Sequence, residues 1–467
     1  MRICMFSLTE CIKNYNTVRR QTRTLAGAGH DIRVIAYRIK KMDPYEESDG
    51  ARIFRVMLFP IDPKILRLAL LPVVLLYRGT LRALGFLISL PLRLAQKLLS
   101  LIAIKSVPRV LGTKGEDKTI HGFFWHMKWK VYWRWYRMLR YLVLLLPYTY
   151  VAYLVYNIRS FRVARREPAD VYHAHDLVTL PVAWLCSRLT GGKLVYDSHE
   201  LWLDRPRLRN RSRLNRFLVR KIESFLIRRT DANIAPGESV GHELSKRYQI
   251  ALPTVILNVP SYHSFQRSTI FRDELEIPAE EKIILYAGKV SWYRGLEEEI
   301  QSLKYLSQCS LVIFGFGPDY YISGLRELIR NEGVMDRVYF YGAVPFDEVT
   351  KYAMSADVGL VLHQNVGLNY YYVSPNKLFE CMAAGLPVVG SNFPDLKRFV
   401  EGYNFGVTCD PGNPKEIANA ISYILSDEHR YEEMRRNALE AAKIFNWENE
   451  SNKLLALYEV LSSRKNV

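Results

Sequence analysis

Two series of short apolar runs, each ending on a polar or turn residue, limit what this chain can fold into. The first reads RICMFSL, DIRVIAY, VYHAHD, KLVYDSHE and DANIAPG; the second reads KIILYAGKV, SLVIFGFGP, VYFYGAV, DVGLVLHQ and PVVGSN. Helix-patterned stretches such as VRRQTRTLAGAG lie between them. Apolar runs without strict alternation suit strands covered on both faces, and strands alternating with helices build parallel sheets. The pattern predicts an α/β fold of two Rossmann-like, doubly wound domains joined near ILNVPSYHSF, and 467 residues is long enough for two cores. In open parallel sheets a ligand sits beyond the carboxyl ends of the strands. The residues that close each strand are therefore the candidates, and the cleft between the halves is the expected site.

One stretch departs from this order. Residues 58–166 hold 19 Lys and Arg against three acids, a net +16; the remaining 46 basic and 44 acidic residues leave only +2 of the total +18. The stretch reads as a helical hairpin inserted into the first domain, with GTKGEDKT as its polar turn. At about 100° per residue, Lys64, Arg67, Arg78, Arg82, Arg93 and Lys97 fall within an arc of roughly 120° on the outgoing arm. The rest of that arm is Leu, Ile and Val, kinked at Pro72 and Pro91. On the returning arm Trp125, Trp129, Tyr132 and Tyr136 form a stripe beside Lys130, Arg134 and Arg137. Basic and aromatic stripes side by side suit a lipid headgroup interface, so Arg78, Arg82, Arg93, Lys97, Trp125, Trp129, Lys130, Arg134 and Arg137 are the expected membrane-binding residues and an anionic membrane surface the expected partner.

Residues 141–158 carry no charge, which raises the question of a transmembrane helix. Pro147 and five tyrosines in the run favour interfacial or monotopic embedding. A buried helical pair packed on the first domain is the other reading. The expected organisation is a first domain in two parts, 1–57 and 167–260, split by the basic insert 58–166. A second domain follows over 261–440, and a closing helix over 441–467 crosses back to the first.

Composition narrows the partners. Basic residues interleaved with aromatics also bind single-stranded nucleic acid, but in grooves rimmed by polar residues rather than on long Leu-rich helices, so no nucleic-acid partner is expected. The six cysteines are scattered without C-x-x-C spacing, which suggests neither a zinc site nor a disulfide framework. The start, MRICMFSLTE, reads as a strand rather than a signal peptide. The expected location is the cytoplasmic face of the cell (inner) membrane, peripheral or monotopic.

Residues 374–394, SPNKLFECMAAGLPVVGSNFP, place a Lys and a Glu around a turn and follow them with a glycine and an apolar strand. This resembles the sugar-nucleotide-binding signature of the family 4 (group 1) retaining glycosyltransferases, whose fold is the two-Rossmann GT-B architecture. The resemblance runs from residue 1 to about 56 and from about 169 to the end. It implies that Glu380 grips the ribose hydroxyls of a nucleotide donor, chemistry that needs a bidentate anionic acceptor. It also implies that the helix start at Ser374, Pro375 and Asn376 meets the phosphates, with Lys377 adding charge. The family's two cations on the donor diphosphate correspond to Lys289, after Gly288, and Arg294, before Gly295, with the cation types exchanged; both can neutralise a diphosphate without a metal. Gly315 and Gly317 match the family's glycine turn beside the nucleotide. Plain alternatives are a helix-dipole role for Glu380 and a solvated loop for Lys289 and Arg294. Tyr372 stands where many members carry a second Glu, and NYNTV replaces the diglycine that often follows the first strand.

In the first domain, His199 matches the strand-end histidine that faces the donor sugar in the family and is the expected catalytic residue. His175, Asp176 and Glu200 are the acceptor-side candidates. The spacing of His173 and His175 resembles part of a zinc motif, but no further carboxylate-histidine helix supports it, so no metal and no cofactor beyond the donor substrate is expected. Together these readings describe a hexosyltransferase-type enzyme that moves a sugar from a nucleotide-diphosphate-sugar to a lipid-linked or glycolipid acceptor in surface polysaccharide or glycolipid synthesis. A GT-B-fold sugar-nucleotide epimerase and a non-catalytic membrane-bound scaffold are the competing readings.

Overall fold

All ten apolar runs become strands, most of them because their side chains bury on both faces. In β1 (Arg2–Phe6) every residue after Arg2 is buried, and β5 (Val171–His175) is buried throughout. A computed structural model of the chain describes residues 1–8, 16–38, 42–57, 146–206, 211–264 and 266–463. The expected membrane-binding residues Arg78, Arg82, Arg93, Lys97, Trp125, Trp129, Lys130, Arg134 and Arg137 lie outside these. The chain divides into two compact units, residues 1–56 with 157–467, and residues 57–156. Both sheets lie in the first.

Its first sheet adds β2 (Asp31–Arg38), β3 (Tyr45–Ser48), β4 (Ala51–Met57), β6 (Lys193–Asp197), β7 (Ala232–Ala235) and β8 (Thr254–Val255), in the order β3-β4-β2-β1-β5-β6-β7-β8. At one edge the β3–β4 hairpin is antiparallel. The second sheet holds β9 (Lys282–Ala287), β10 (Cys309–Phe314), β11 (Val338–Tyr341), β12 (Val358–Val361), β13 (Val388–Ser391) and β14 (Gly406–Cys409), in the order β11-β10-β9-β12-β13-β14. Strand order reverses beside β1 in the first sheet and beside β9 in the second, the switch points where doubly wound sheets open a crevice.

The longer helices are α1 (Asn16–Gly27), α2 (Leu146–Ala164), α3 (Leu180–Thr190), α4 (Arg213–Ile227), α5 (Glu238–Tyr248), α6 (Leu296–Ser302), α7 (Asp319–Glu332), α8 (Asn376–Ala383), α9 (Pro394–Val400), α10 (Pro414–Leu425), α11 (Glu428–Ile444) and α12 (Trp447–Ser463). Among the described residues no helix is long and apolar enough to cross a membrane.

The closing helix belongs to the first domain's core. Leu454, Leu457, Tyr458 and Leu461 of α12 pack with Ile3, Val34 and Val195 of the first sheet. Trp447 Nε1 donates to Thr24 Oγ1 at 3.0 Å, and Glu450 accepts the Leu257 amide at 2.9 Å. Each fully buried Leu or aromatic side chain contributes about 1.5–3 kcal/mol, so α12 fastens the end of the second domain to the first.

Candidate active site

The two sheets present their carboxyl ends to a common cleft of about 880 Å³. His199 and Glu200, just past β6, line one side; Lys289, Arg294, Gly315, Ser374, Pro375, Asn376, Lys377 and Glu380 line the other. These dispersed positions meet because each follows a strand of the second sheet or begins α8. Gly315 must be glycine: its φ is +148°, and a Cβ there would lie 1.9 Å from the Gly288 carbonyl oxygen. Gly317 does not line the cleft; a Cβ on it would lie 2.1 Å from the Val290 carbonyl oxygen, so its part is close packing behind the turn.

Glu380 stands fifth in α8 and is only 6% exposed, which removes it from the first-turn position that a helix-dipole role requires. Burial pushes its carboxyl up to about 7, opposed by the charges of Arg20 and Lys377. Arg20, on α1, is a residue that the sequence reading missed. Its guanidinium donates to Asn258 Oδ1 at 3.3 Å and to the Val259 carbonyl, and burial lowers it to about 10 against the pull of Glu380. A cation of the first domain thus acts electrostatically on the carboxylate of the second.

Lys377 is also buried. Its ammonium lies 4.3 Å from the Tyr286 ring centroid and makes no hydrogen bond among the described residues. Burial lowers it to about 8, partly offset by Glu299 of α6. Glu299 is 1% exposed, neither of its carboxyl oxygens has a hydrogen-bond partner among the described residues, and burial pushes it well above the usual carboxylate range. His363, past β12, completes this group. Burial, then the charges of Lys377 and Arg294, hold its imidazole well below the usual range. Glu299 and His363 were not foreseen: Glu299 hides in a three-Glu run that reads as a helix start, and His363 ends an apolar run without a motif. The Ser374 hydroxyl donates to Asp395 at 2.9 Å, so its peptide rather than its hydroxyl is left to a ligand.

Behind His199 lies a buried network. His175 Nδ1 is 3.0 Å from His199 Nε2, and His173 Nδ1 is 2.8 Å from the Tyr458 hydroxyl of α12. Asp197 Oδ2 lies 3.8, 3.5 and 3.9 Å from nitrogens of His173, His175 and His199, and accepts the Gln21 amide at 2.8 Å. Burial alone would raise the Asp197 carboxyl, but the surrounding imidazoles hold it well below the ordinary range. Burial and then His173 push His175 down to about 3, so it is neutral near pH 7.

This corrects the expectation for His175. It is 2% exposed, does not line the cleft, and touches His199 rather than an acceptor. Asp176 does not line the cleft either; it has φ +68° and an ion pair with Arg205 at 3.5 Å. Glu200 does line it, but its carboxylate accepts Asn369 Nδ2 at 2.6 Å and pairs with Arg205. Asn369 Oδ1 in turn accepts the Leu201 amide at 2.9 Å, so one asparagine bridges the two halves.

His173, His175 and Asp197 offer donor atoms within 4.8 Å of one another, a spacing that a metal ion can span. Asp197 Oδ2 accepts Gln21 and His173 Nδ1 is bonded to Tyr458, while His173 Nε2 and His175 Nε2 have no hydrogen-bond partner among the described residues. His175 and Asp197 of this set also stand beside His199, at 3.0 and 3.9 Å.

Two sheets of this order around a cation-lined, carboxylate-bearing cleft define the GT-B class. Residues 140–258 match the model of Glycosyltransferase Family 4, and residues 267–441 match that of the group 1 glycosyl transferases. The chain belongs to the family 4 (group 1) glycosyltransferases. It is 28% identical over 205 residues to an uncharacterized glycosyltransferase of Methanocaldococcus jannaschii, a match covering 42% of this chain and 50% of that one. It is 24% identical over 314 residues to the D-inositol 3-phosphate glycosyltransferase of Xylanimonas cellulosilytica, covering 63% of this chain and 73% of the relative. The chain thus spans half the length of the first relative and about three quarters of the second. Among solved structures, sucrose-phosphate synthase from Thermosynechococcus elongatus superposes with a TM-score of 0.70 at 16% identity over the full length of both chains, a likeness of fold.

Proposed function

We propose that this chain transfers a sugar, with retention of configuration, from a nucleoside-diphosphate sugar to a lipid-linked or glycolipid acceptor at the cytoplasmic membrane face. The observation that carries the proposal is the cleft itself, with Glu380 and the cations Lys289, Arg294 and Lys377 on one side and His199 on the other.

Each group has a task set by its chemistry. An ionised Glu380 accepts two hydrogen bonds from the ribose diol. Lys289, Arg294 and Lys377 neutralise the diphosphate and stabilise it as a leaving group, which makes a metal unnecessary to the scheme. Phe316, 65% exposed on the cleft wall, offers a face for the base. His199, steadied by His175, hydrogen-bonds a hydroxyl of the donor sugar and fixes its orientation. Closure of the halves, bridged by Asn369, excludes water and suppresses donor hydrolysis.

Retention follows from the family resemblance. The membrane-located acceptor follows from the basic, amphipathic pattern of residues 58–166, which concentrates the protein on anionic lipid. Polyprenyl-diphosphate-linked glycans of a surface polysaccharide are the first choice of acceptor, and glycolipids the second.

The test is transfer of labelled sugar from nucleotide donors into solvent-extractable lipid of the native membrane. Label in the lipid fraction, lost in His199→Ala, is the expected result. Release of free epimerised sugar nucleotide would favour the epimerase, and donor binding without turnover the scaffold.

A further inference from the structure

A surface helix normally shows one apolar stripe, turned to the core. Helix α4 has two. Its inner face buries Val219, Leu226 and Ile227. On the opposite face Leu214, Phe217, Leu218, Ile222 and Phe225 are 67, 54, 51, 51 and 44% exposed. Spaced i, i+3, i+4, i+8 and i+11, these five share one side of the helix. The patch continues onto α3, where Trp184 meets Phe225 edge-on at 5.6 Å and Leu185 and Leu189 are 38 and 64% exposed. Contiguous apolar surface of this kind marks an interaction site.

Charge identifies what fits there. Arg213, Arg216, Arg220 and Lys221 are exposed on α4, and Arg228 and Arg229 follow it. The single acid of the helix, Glu223, is turned inward, accepting the Tyr248 hydroxyl at 2.6 Å and the Tyr196 hydroxyl at 3.2 Å. The outward surface of α4 is therefore apolar and basic with no acid. A second copy of the chain seated on it would set like charges against like. An anionic lipid surface satisfies both parts, taking the Leu and Phe side chains between its acyl chains and the guanidinium groups at its phosphates.

The geometry points to α4, with the adjoining end of α3, as an in-plane docking face for an anionic membrane. This rests on the membrane-located acceptor proposed above and adds a surface built from residues of the first Rossmann domain that do not belong to 58–166. In the chain α4 lies between β6, which leads to His199, and β7, the neighbour of β6 in the sheet. Docking there holds the catalytic domain itself at the lipid surface.

The experiment is co-sedimentation of the full chain with vesicles of phosphatidylcholine, with and without phosphatidylglycerol. Two variants are compared with the unmodified chain: Phe217→Ser with Ile222→Ser, and Arg216→Gln with Arg220→Gln. All four side chains are exposed, and unchanged nucleotide binding and thermal unfolding confirm that the variants fold. The expected result is binding of the unmodified chain to phosphatidylglycerol vesicles, weakened about tenfold in each variant. Unweakened binding in both variants would overturn the proposal while sparing the membrane reading. Failure of the unmodified chain to bind either vesicle would remove that reading and the docking face with it. A dimer that dissolves in the Phe217→Ser, Ile222→Ser variant, with vesicle binding unaffected, would assign the face to a second copy instead.

Discussion

His175 Nδ1 lies 3.0 Å from His199 Nε2, so the imidazole that faces the cleft is held by a second imidazole that does not reach it. The support is electrostatic as well as geometric. A neutral His175 and an ionised Asp197, both buried, fix where the His199 ring sits and which nitrogen it turns inward.

The two histidines should separate on mutation. His199→Ala is expected to lower kcat by about 10²-fold or more with donor affinity nearly unchanged. His175→Ala should cost about tenfold in kcat and alter the pH–rate profile, because the ring it orients is still present. Steady-state rates beside nucleotide titrations decide it. Equal rates for His175→Ala and the unmodified enzyme would remove the supporting role.

Donor affinity should depend on pH in a bell. The proposed binding needs Glu380 ionised and Lys377 protonated, and burial moves these groups to about 7 and about 8. Affinity should rise as pH increases through 7, then fall above about 8. Glu380→Gln should weaken binding and erase the acid limb; Lys377→Met should erase the alkaline limb. A flat profile between pH 6 and 9 would contradict both assignments.

The same carboxyl should cost stability. Glu380 is held near 7 in the folded chain against an ordinary value of 4.5. An acid raised by folding destabilises progressively as pH rises through that interval, with no penalty below it and the whole penalty above. Glu380→Gln should therefore be more stable than the unmodified chain at pH 8, by on the order of 3 kcal/mol, and no more stable below pH 4.5. Thermal unfolding at the two pH values measures the difference.

The helix that returns to the first domain should matter far from its own end. Leu454 is fully buried in the first domain's core, so Leu454→Ala should destabilise by about 2–5 kcal/mol. Tyr458→Phe removes the hydroxyl bonded to His173 and should cost about 1–3 kcal/mol. If Leu454→Ala unfolded at the midpoint of the unmodified chain, α12 would not be fastening the domains.

Much of this was legible in the residues, and the exceptions have physical reasons. Strands such as β9 and β10 are buried on both faces, so each had to be a continuous apolar run. Lys289, Arg294 and Gly315 were reached through the family resemblance, and of these Gly315 has a local reason, because its φ of +148° demands glycine. The β3 strand, YEES, was missed because an edge strand needs no apolar face. Arg20, Glu299 and His363 were missed because periodicity assigns charged and polar residues to the surface, and only the meeting of distant segments buries Glu299 and His363 and half-buries Arg20. His175 was misplaced for the opposite reason: a histidine at a strand end reads as a ligand contact, and nothing in VYHAHD shows that His199 stands in front of it.

The proposed nucleotide-sugar site built on Glu380 is tested by calorimetric titration of the purified chain with UDP, GDP, ADP and CMP beside Glu380→Ala. Saturable binding of one nucleotide, lost in the variant, is the expected result and fixes the donor class. Binding of none by a demonstrably folded sample, or equal binding by Glu380→Ala, would contradict the account.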